Sequence, residues 1–261
     1  MIGAVIGDIV GSIYEFANIK TKEFPLFSEW SKWTDDTILS MATAQWILDG
    51  AKTDEVGNYY HRFATDYPNP MGGYGTGFLS WLHAGDMKPY NSCGNGSAMR
   101  VGAVGWACNS VEEVLAMARA SAECTHNHPE GIKGAQATAL AIMMARLGST
   151  KEEIRDELER RFGYNLRFTC DDIRATYGWG ATCQDTVPQA IVAFLDGSDF
   201  EDCVRCAISI GGDSDTLGCI TGSIAEAYFG VPDELRQHAM NTLPEAFKNI
   251  ITEFESRYPG K

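Results

Sequence analysis

The stretch Gly211-Gly212-Asp213-Ser214-Asp215-Thr216 places two carboxylates, one residue apart, directly before an apolar helical pattern over residues 217–229. Such acids often only cap a helix, because Asp, Ser and Thr side chains accept hydrogen bonds from the free N–H groups of a first turn. A second copy, Trp33-Thr34-Asp35-Asp36-Thr37, precedes the helical pattern of residues 38–48. Hard divalent cations prefer carboxylate and hydroxyl oxygens, so two acidic helix starts predict a site for a pair of metal ions.

The N-terminal segment is predicted to form one helix over residues 2–16. A polar stripe runs along it, because Asp8, Ser12 and Glu15 fall at positions i, i+4 and i+7. The stripe either pairs internally or faces a site, and we favour the site because the rest of the helix is apolar. Small residues that allow another chain segment to come close recur at every fourth position, at Gly3, Gly7 and Gly11.

Two glycine-rich loops are candidates for contact with a ligand. Residues 67–77 are too rich in glycine for regular structure and include Tyr74 and Gly75; the loop either brings backbone close to a ligand or is a plain connector. Residues 93–100 place small residues and free N–H groups at the start of a helix predicted to run to Trp106, which favours anion binding. The spacing matches neither the dinucleotide fingerprint nor the P-loop, so this signal is weak by itself.

The chain as a whole predicts an all-α fold. Alternating β patterns are nearly absent, and short connections marked by glycine or proline separate about a dozen helical segments. We therefore expect a compact orthogonal multi-helix bundle. No linker is visible, so residues 1–261 are predicted to form a single domain.

Composition excludes several classes of function. With 21 basic and 35 acidic residues, the formal charge of −14 argues against general binding of nucleic acid or of anionic membranes. The N-terminus lacks a basic region and a cleavage site, and Asp8 interrupts its apolar run, so neither a signal peptide nor a membrane span is predicted. Cys203 and Cys206 have no second CxxC pair to complete a zinc site, and the eight cysteines form no framework. Reduced thiols and a cytoplasmic location are expected.

Five motifs together resemble the ADP-ribosylglycohydrolase family. They follow the order of that family and span residues 7–216. The motifs are Gly7-Asp8-x-x-Gly11-Ser12-x-x-Glu15, Trp33-Thr34-Asp35-Asp36-Thr37, Gly94-Asn95-Gly96-Ser97-Ala98-Met99-Arg100, Thr125-His126 and Gly212-Asp213-Ser214-Asp215-Thr216.

The resemblance implies an all-helical fold with two Mg²⁺ or Mn²⁺ ions in a cleft. It implies that one side of the metal pair is held by Thr34, Asp35 and Asp36, and the other by Asp213, Asp215 and Thr216. It places Glu15 beside the metals, as a ligand or as the catalytic acid/base, a role that Asp36 shares as a candidate. The implied substrate-binding residues are Gly94, Asn95, Gly96, Ser97 and Met99 around the diphosphate, and His126, Tyr74 and Gly75 along the cleft.

The activity that the resemblance implies is metal-dependent hydrolysis of the glycosidic bond between ADP-ribose and a modified side chain or small acceptor. The partner is then an ADP-ribosylated protein or a small ADP-ribose conjugate. Two alternatives stay open, which are a hydrolase of another conjugate such as O-acetyl-ADP-ribose and a non-catalytic ADP-ribose-binding protein. The sequence leaves the acceptor linkage, the choice of metal and the oligomeric state undetermined.

Overall fold

Fifteen helices and their connections make up residues 1–260, which are the residues described by the computed structural model. The helices are α1 (Ile2–Gly11), α2 (Asp35–Leu48), α3 (Val56–Asp66), α4 (Thr76–Ala84), α5 (Gly96–Met99), α6 (Gly102–Ala107), α7 (Val111–Glu123), α8 (Pro129–Leu147), α9 (Lys151–Phe162), α10 (Cys170–Ile173), α11 (Cys183–Asp196), α12 (Phe200–Ser209), α13 (Ser214–Phe229), α14 (Asp233–Thr242) and α15 (Glu245–Arg257).

The all-α prediction is confirmed, since the described residues contain no sheet and only two isolated β-bridges. The single domain over residues 1–261 stays a prediction, and Lys261 lies outside the described residues. Among residues 1–260, no helix combines the length and the apolarity that a membrane crossing requires. The eight cysteines are unpaired, as expected, and six of them are buried.

The centre of the fold is the contact between α1 and α13. Every residue of α1 is buried, and α13 is buried from Ser214 to Ala227. Glycines allow the two backbones to touch, because a Cβ atom on Gly7 would lie 1.9 Å from the carbonyl oxygen of Gly218. A Cβ atom on Gly3 would similarly lie 2.3 Å from the oxygen of Gly222. The contact sets the N-terminus of α13, which carries the second acidic pair, against the C-terminus of α1.

The prediction of one helix over residues 2–16 is wrong, because α1 ends at Gly11. Beyond it, the side-chain amide of Asn18 donates to the carbonyl oxygens of Tyr14 and Glu15, at 2.7 and 3.0 Å. Such local bonds give the backbone partners outside a helix. Glu15 therefore leaves the helix and lies in the turn that follows it.

The polar stripe was predicted either to pair internally or to face a site, and its three residues differ in this respect. Asp8 and Ser12 pair internally. Asp8 accepts hydrogen bonds from the backbone and the hydroxyl of both Thr34 and Thr37, which fixes α1 against the start of α2. The Ser12 hydroxyl donates to a carbonyl of its own helix, 2.8 Å away. Only Glu15 faces a cavity.

The prediction of one helix that starts within residues 93–100 and runs to Trp106 is also wrong, because the structure has two helices there, α5 and α6. α5 is a single turn of four residues. Its dipole is correspondingly small, so only individual N–H groups of this loop, and not a long helix, could contribute to the predicted anion binding.

Candidate functional site

Carboxylates from three separate segments meet at the N-terminus of α13. Oxygen atoms of Glu15, Asp213 and Asp215 lie within 4.8 Å of one another. Asp36, in the first turn of α2, joins them through the Thr216 hydroxyl, which is 3.4 Å from Asp36 Oδ2. The two acidic helix starts of the sequence are therefore neighbours in space, although 180 residues separate Asp36 from Thr216.

The acids are not needed as helix caps. The residue that caps α2 is Thr34, whose hydroxyl oxygen accepts from the N–H of Asp36 at 3.2 Å. Asp213 occupies the cap position of α13 but makes no side-chain cap hydrogen bond. It accepts instead from the amide of Asn95, 2.7 Å away. The interpretation of the acidic pairs as simple caps therefore fails for Asp213.

Burial and mutual repulsion make this cluster costly to ionise. Burial, followed by the neighbouring carboxylates, raises the pKa of Asp35, Asp36 and Asp215 well above its usual range. The same causes raise the pKa of half-buried Glu15 to about 7, with Asp213 the nearest source of repulsion. Positive charge is what such a cluster lacks.

The residues present fit a hard divalent cation. Among residues 1–260, no ion pair involves the cluster acids, and the buried Oδ1 of Asp36 has no hydrogen-bond partner. Oxygen donors of this kind are what Mg²⁺ and Mn²⁺ prefer. Asp8 supports the arrangement, because its carboxylate accepts from the Thr34 hydroxyl at 2.8 Å and so makes that oxygen a better donor to a metal.

A cavity of about 520 Å³ opens above the cluster, within the size range of small-molecule sites. The predicted site residues that line it are Glu15, Asp35, Asp36, Tyr74, Gly75, Gly94, Asn95, Gly96, Met99, His126, Asp213, Asp215 and Thr216. Two predicted residues lie behind the cavity wall. Thr34 is buried beneath the acids, and the buried Ser97 donates its hydroxyl hydrogen to the carbonyl oxygen of Gly131 at 2.7 Å.

The loop of residues 67–77 forms the wall opposite the cluster. Gly72 has a φ of +77°, and a Cβ atom there would lie 2.7 Å from Glu15 Oε2. The positive φ favours glycine, and a side chain there would displace the Glu15 carboxylate. Tyr74 lines the cavity with its ring, while its hydroxyl donates to the Tyr67 carbonyl at 2.8 Å. The loop is more than a connector, because its backbone defines the space around Glu15.

The loop of residues 93–97 forms another side of the cavity. Its first N–H groups are engaged, with Gly94 donating to Ser92 Oγ at 3.1 Å and Asn95 to the carbonyl of Ala181 at 2.9 Å. Within the described part of the chain, the N–H groups of Gly96 and Ser97 make no hydrogen bond. Of these two residues, only Gly96 lines the cavity.

A sequence model of the ADP-ribosylglycohydrolase family matches residues 1–259. The chain belongs to the ADP-ribosylglycohydrolase family. The resemblance drawn from the five motifs is thereby confirmed.

Relatives of known name carry the same family description. ADP-ribosylhydrolase ARH3 of Mus musculus is 29% identical over an alignment of 329 positions, gaps included, and this alignment covers 97% of this chain and 86% of that protein. ADP-ribosyl-(dinitrogen reductase) glycohydrolase of Rhodospirillum rubrum is 28% identical over 214 residues, which cover 77% of this chain and 70% of that protein. A solved structure described as an ADP-ribosylglycohydrolase-related protein complex has a TM-score of 0.74 at 24% identity, covering 98% of this chain and 94% of that one. That likeness shows a shared fold.

Asn18, which lies outside the five motifs, joins the turn of Glu15 to the turn before Asp213. Its side-chain amide donates to the carbonyl oxygen of Gly212 at 2.8 Å, and its Oδ1 accepts from the Gly212 N–H at 2.8 Å. The same amide also binds the Glu15 carbonyl, so Asn18 fixes the turn carrying Glu15 against the turn before Asp213. The sequence gives no sign of this contact, because 194 residues separate its partners.

Two exposed aromatic side chains at the mouth of the cavity were also missed by the sequence analysis. Phe16 and Trp179 line the cavity, yet they are 74% and 59% exposed. Phe16 directly follows Glu15, so its position follows once Glu15 is placed. Trp179 lies in a segment without a helical or strand pattern, which gave no basis for placing it.

Stability is expected to depend on pH and on metal. Without a divalent cation, Asp8 and Glu15 keep protons in the folded state up to a pKa of about 6 and about 7, whereas the unfolded chain releases them near pH 4. The unfolded state then binds fewer protons, so the free energy of unfolding falls as the pH rises from 5 to 7. Buried Asp8 alone, with its pKa raised from 3.8 to about 6, contributes about 1.3 kcal/mol to the loss between pH 5 and 7, at ~1.4 kcal/mol per pKa unit.

The measurement is thermal unfolding of chelator-treated protein between pH 5 and 7.5, repeated with saturating Mn²⁺. Because the cation favours the deprotonated cluster, we expect it to raise the unfolding temperature most at pH 7.5. Stability of the chelated protein that rises across this range would contradict the description of the cluster.

Proposed function

We propose that this chain is a metal-dependent ADP-ribosylglycohydrolase, which cleaves the glycosidic bond between ADP-ribose and a modified side chain or small acceptor. Family membership supports ADP-ribosyl hydrolase activity. The observation that carries the metal-dependent mechanism is the buried group of carboxylates at the base of the cavity, which has no cationic side chain to neutralise it.

The cations would be held between the two helix starts. We assign Thr34, Asp35 and Asp36 to one side and Asp213, Asp215 and Thr216 to the other. Two bound Mg²⁺ or Mn²⁺ ions would bind the ribose hydroxyls and lower the pKa of a water molecule. The acidic net charge of the protein is then no obstacle to an anionic ligand, because its negative groups are neutralised locally.

Glu15 is the best candidate for proton transfer. Its carboxyl group lines the cavity beside Asp213, where it can give or accept a proton. Cleavage of a glycosidic bond places positive charge on the sugar and requires a proton on the leaving group and a deprotonated water. We assign one of these transfers to Glu15, with Asp36 as the alternative carboxylate.

The phosphate groups would lie along the Gly94–Ser97 loop, where Gly96 lines the cavity and its N–H group makes no hydrogen bond within residues 1–260. Met99 and His126 would complete this part of the cavity, and Tyr74 and Gly75 the opposite wall. The acceptor attached to the ribose would extend toward the mouth, where Phe16 is exposed. Partners of this kind are ADP-ribosylated proteins or small conjugates, and the free thiols are consistent with action in the cytoplasm.

The test is release of ADP-ribose from arginine-linked, serine-linked and O-acetyl substrates, with Mg²⁺, with Mn²⁺ and with a chelator. We expect release that requires metal, because the carboxylates cannot ionise together without it. The preferred linkage identifies the acceptor. Release that continues unchanged with chelator would overturn the metal-dependent mechanism. Binding of ADP-ribose without any release from the panel would favour the non-catalytic alternative.

A further inference from the structure

A buried arginine in the cavity wall has no acidic partner within residues 1–260. Arg100 is wholly buried, and its guanidinium group stacks on the ring of Tyr60, 3.8 Å from the ring centroid. Its Nη2 atom donates to the Ser121 carbonyl at 3.1 Å and to the Thr125 hydroxyl at 2.7 Å. A guanidinium group can only donate hydrogen bonds, so Thr125 Oγ1 must accept from it.

The hydroxyl hydrogen of Thr125 has two neighbours, which are the Ala122 carbonyl at 3.4 Å and His126 Nδ1 at 2.7 Å. The Ala122 oxygen already accepts the backbone N–H groups of Thr125 and His126, at 3.1 and 2.8 Å. Both of its lone pairs are therefore used. The hydroxyl hydrogen is directed to Nδ1, which is the closer atom and lacks another donor.

We infer that Arg100 and Thr125 act as positioning residues that hold His126 as the neutral tautomer with its hydrogen on Nε2, and that this N–H donates to an oxygen atom of the ligand. An imidazole nitrogen that accepts a hydrogen bond carries no hydrogen, so the ring hydrogen must be on the other nitrogen. The hydrogen bonds therefore run from Arg100 to Thr125 and from Thr125 to His126 Nδ1, and they leave the ring hydrogen on Nε2, the nitrogen beside the cavity.

Nε2 is placed for this role. His126 lines the cavity, and Nε2 makes no hydrogen bond within residues 1–260. Cβ atoms built on Gly94 and Gly96 would lie 3.5 and 3.2 Å from Nε2, so the glycines leave the space beside it open. The neighbouring positive charge of Arg100 disfavours a second ring proton, and burial acts in the same direction by lowering the pKa of His126.

The chemistry of the ligand follows from the tautomer. A neutral N–H donor binds an oxygen acceptor, and beside the free N–H group of Gly96 that acceptor is a phosphate or ribose oxygen. The identity of the ligand as ADP-ribose depends on the proposed function. The tautomer does not, since it is a property of the protein without ligand.

The experiment is ¹⁵N NMR of the imidazole of His126 at pH 7, in ligand-free wild type, Thr125→Val and Thr125→Ser. We expect a pyridine-type Nδ1 and a protonated Nε2 in wild type and in Thr125→Ser, which keeps the hydroxyl. Thr125→Val should lose this preference and bind ADP-ribose, in the presence of Mg²⁺, about tenfold more weakly, as for one lost hydrogen bond.

The outcomes separate the inference about the His126 tautomer from the proposal that the ligand is ADP-ribose. A protonated Nδ1 in wild type overturns the inference whatever the activity, and this measurement requires no folded variant. A Thr125→Val protein that keeps the wild-type tautomer overturns the role of Thr125. A changed tautomer with unchanged affinity for ADP-ribose overturns the role of Nε2 as a donor. Wild type with the expected tautomer but no affinity for ADP-ribose leaves the positioning intact and contradicts the proposed ligand.

Discussion

Asp215→Asn is expected to abolish hydrolysis and to stabilise the protein when metal is absent. Asp215 is buried and lies against Asp213 and Glu15, so its charge is tolerated only beside a cation. Loss of a residue that supports a metal ligand costs about 10–100-fold in affinity or activity, and loss of the ligand itself should cost at least the larger value. In chelator the substitution removes repulsion, so the unfolding temperature should rise.

These opposite effects distinguish a metal ligand from a structural acid. The measurements are metal titration by calorimetry, release of ADP-ribose, and thermal unfolding with and without Mn²⁺. Asp54→Asn is the matched control, because it removes the same charge from an exposed position outside the cavity and should change none of the three. An Asp215→Asn protein that binds Mn²⁺ as wild type does would remove Asp215 from the metal site.

Much of the candidate site could be predicted from the sequence because its acidic residues come in short local motifs. Asp35 and Asp36, like Asp213 and Asp215, sit at helix starts that the hydrophobic period locates within a few residues. A motif identifies the residues within it, but it does not show which distant residues they contact. The repeated acidic motif and the family resemblance both predicted that the two pairs meet, and the Asp36–Thr216 contact gives the geometry, which neither could supply.

The errors arose where long-range contacts override local periodicity. On an ideal helix, Asp8 and Glu15 would share one stripe. In the structure, the Asn18 side chain binds the Glu15 carbonyl in the turn after α1, and Glu15 faces the cavity. Asp8 instead accepts hydrogen bonds from the start of α2. The role of Asn18 depends on Gly212, and that of Arg100 on Thr125. A single sequence contains no signal for such pairs, because side-chain hydrogen bonds between distant segments leave no periodic trace.

The glycine pattern of α1 shows the same limit. Gly3 and Gly7 predicted a close approach, and the structure supplies the partner as α13. The spacing of the glycines reveals that one face of a helix has no side chains beyond a hydrogen atom. It does not reveal which of the other helices covers that face.

Gly7→Ala is expected to destabilise the protein by about 3 kcal/mol or more, the upper range for overpacking a rigid core. The added Cβ atom would lie 1.9 Å from the oxygen and 2.2 Å from the carbon of the Gly218 peptide group. These are backbone atoms of a buried helix, so no rotamer change can relieve the clash and the helices must separate. The loss corresponds to a fall of roughly 6–12 °C in the unfolding temperature, at ~2–4 °C per kcal/mol.

Gly57→Ala is the matched control, because a Cβ atom on that helical glycine would meet its nearest neighbours at 3.6 and 3.7 Å, ordinary contact distances. Alanine is the better helix former, so this variant should be as stable as wild type or slightly more so. The start of α13 lies against the end of α1, since a Cβ atom on Gly11 would lie 2.5 Å from Asp215 Cα. The separation forced by Gly7→Ala therefore also displaces Asp215, and metal affinity should fall together with stability. A Gly7→Ala protein with unchanged unfolding temperature and unchanged Mn²⁺ affinity would mean that α1 and α13 do not touch where the acidic cluster is built.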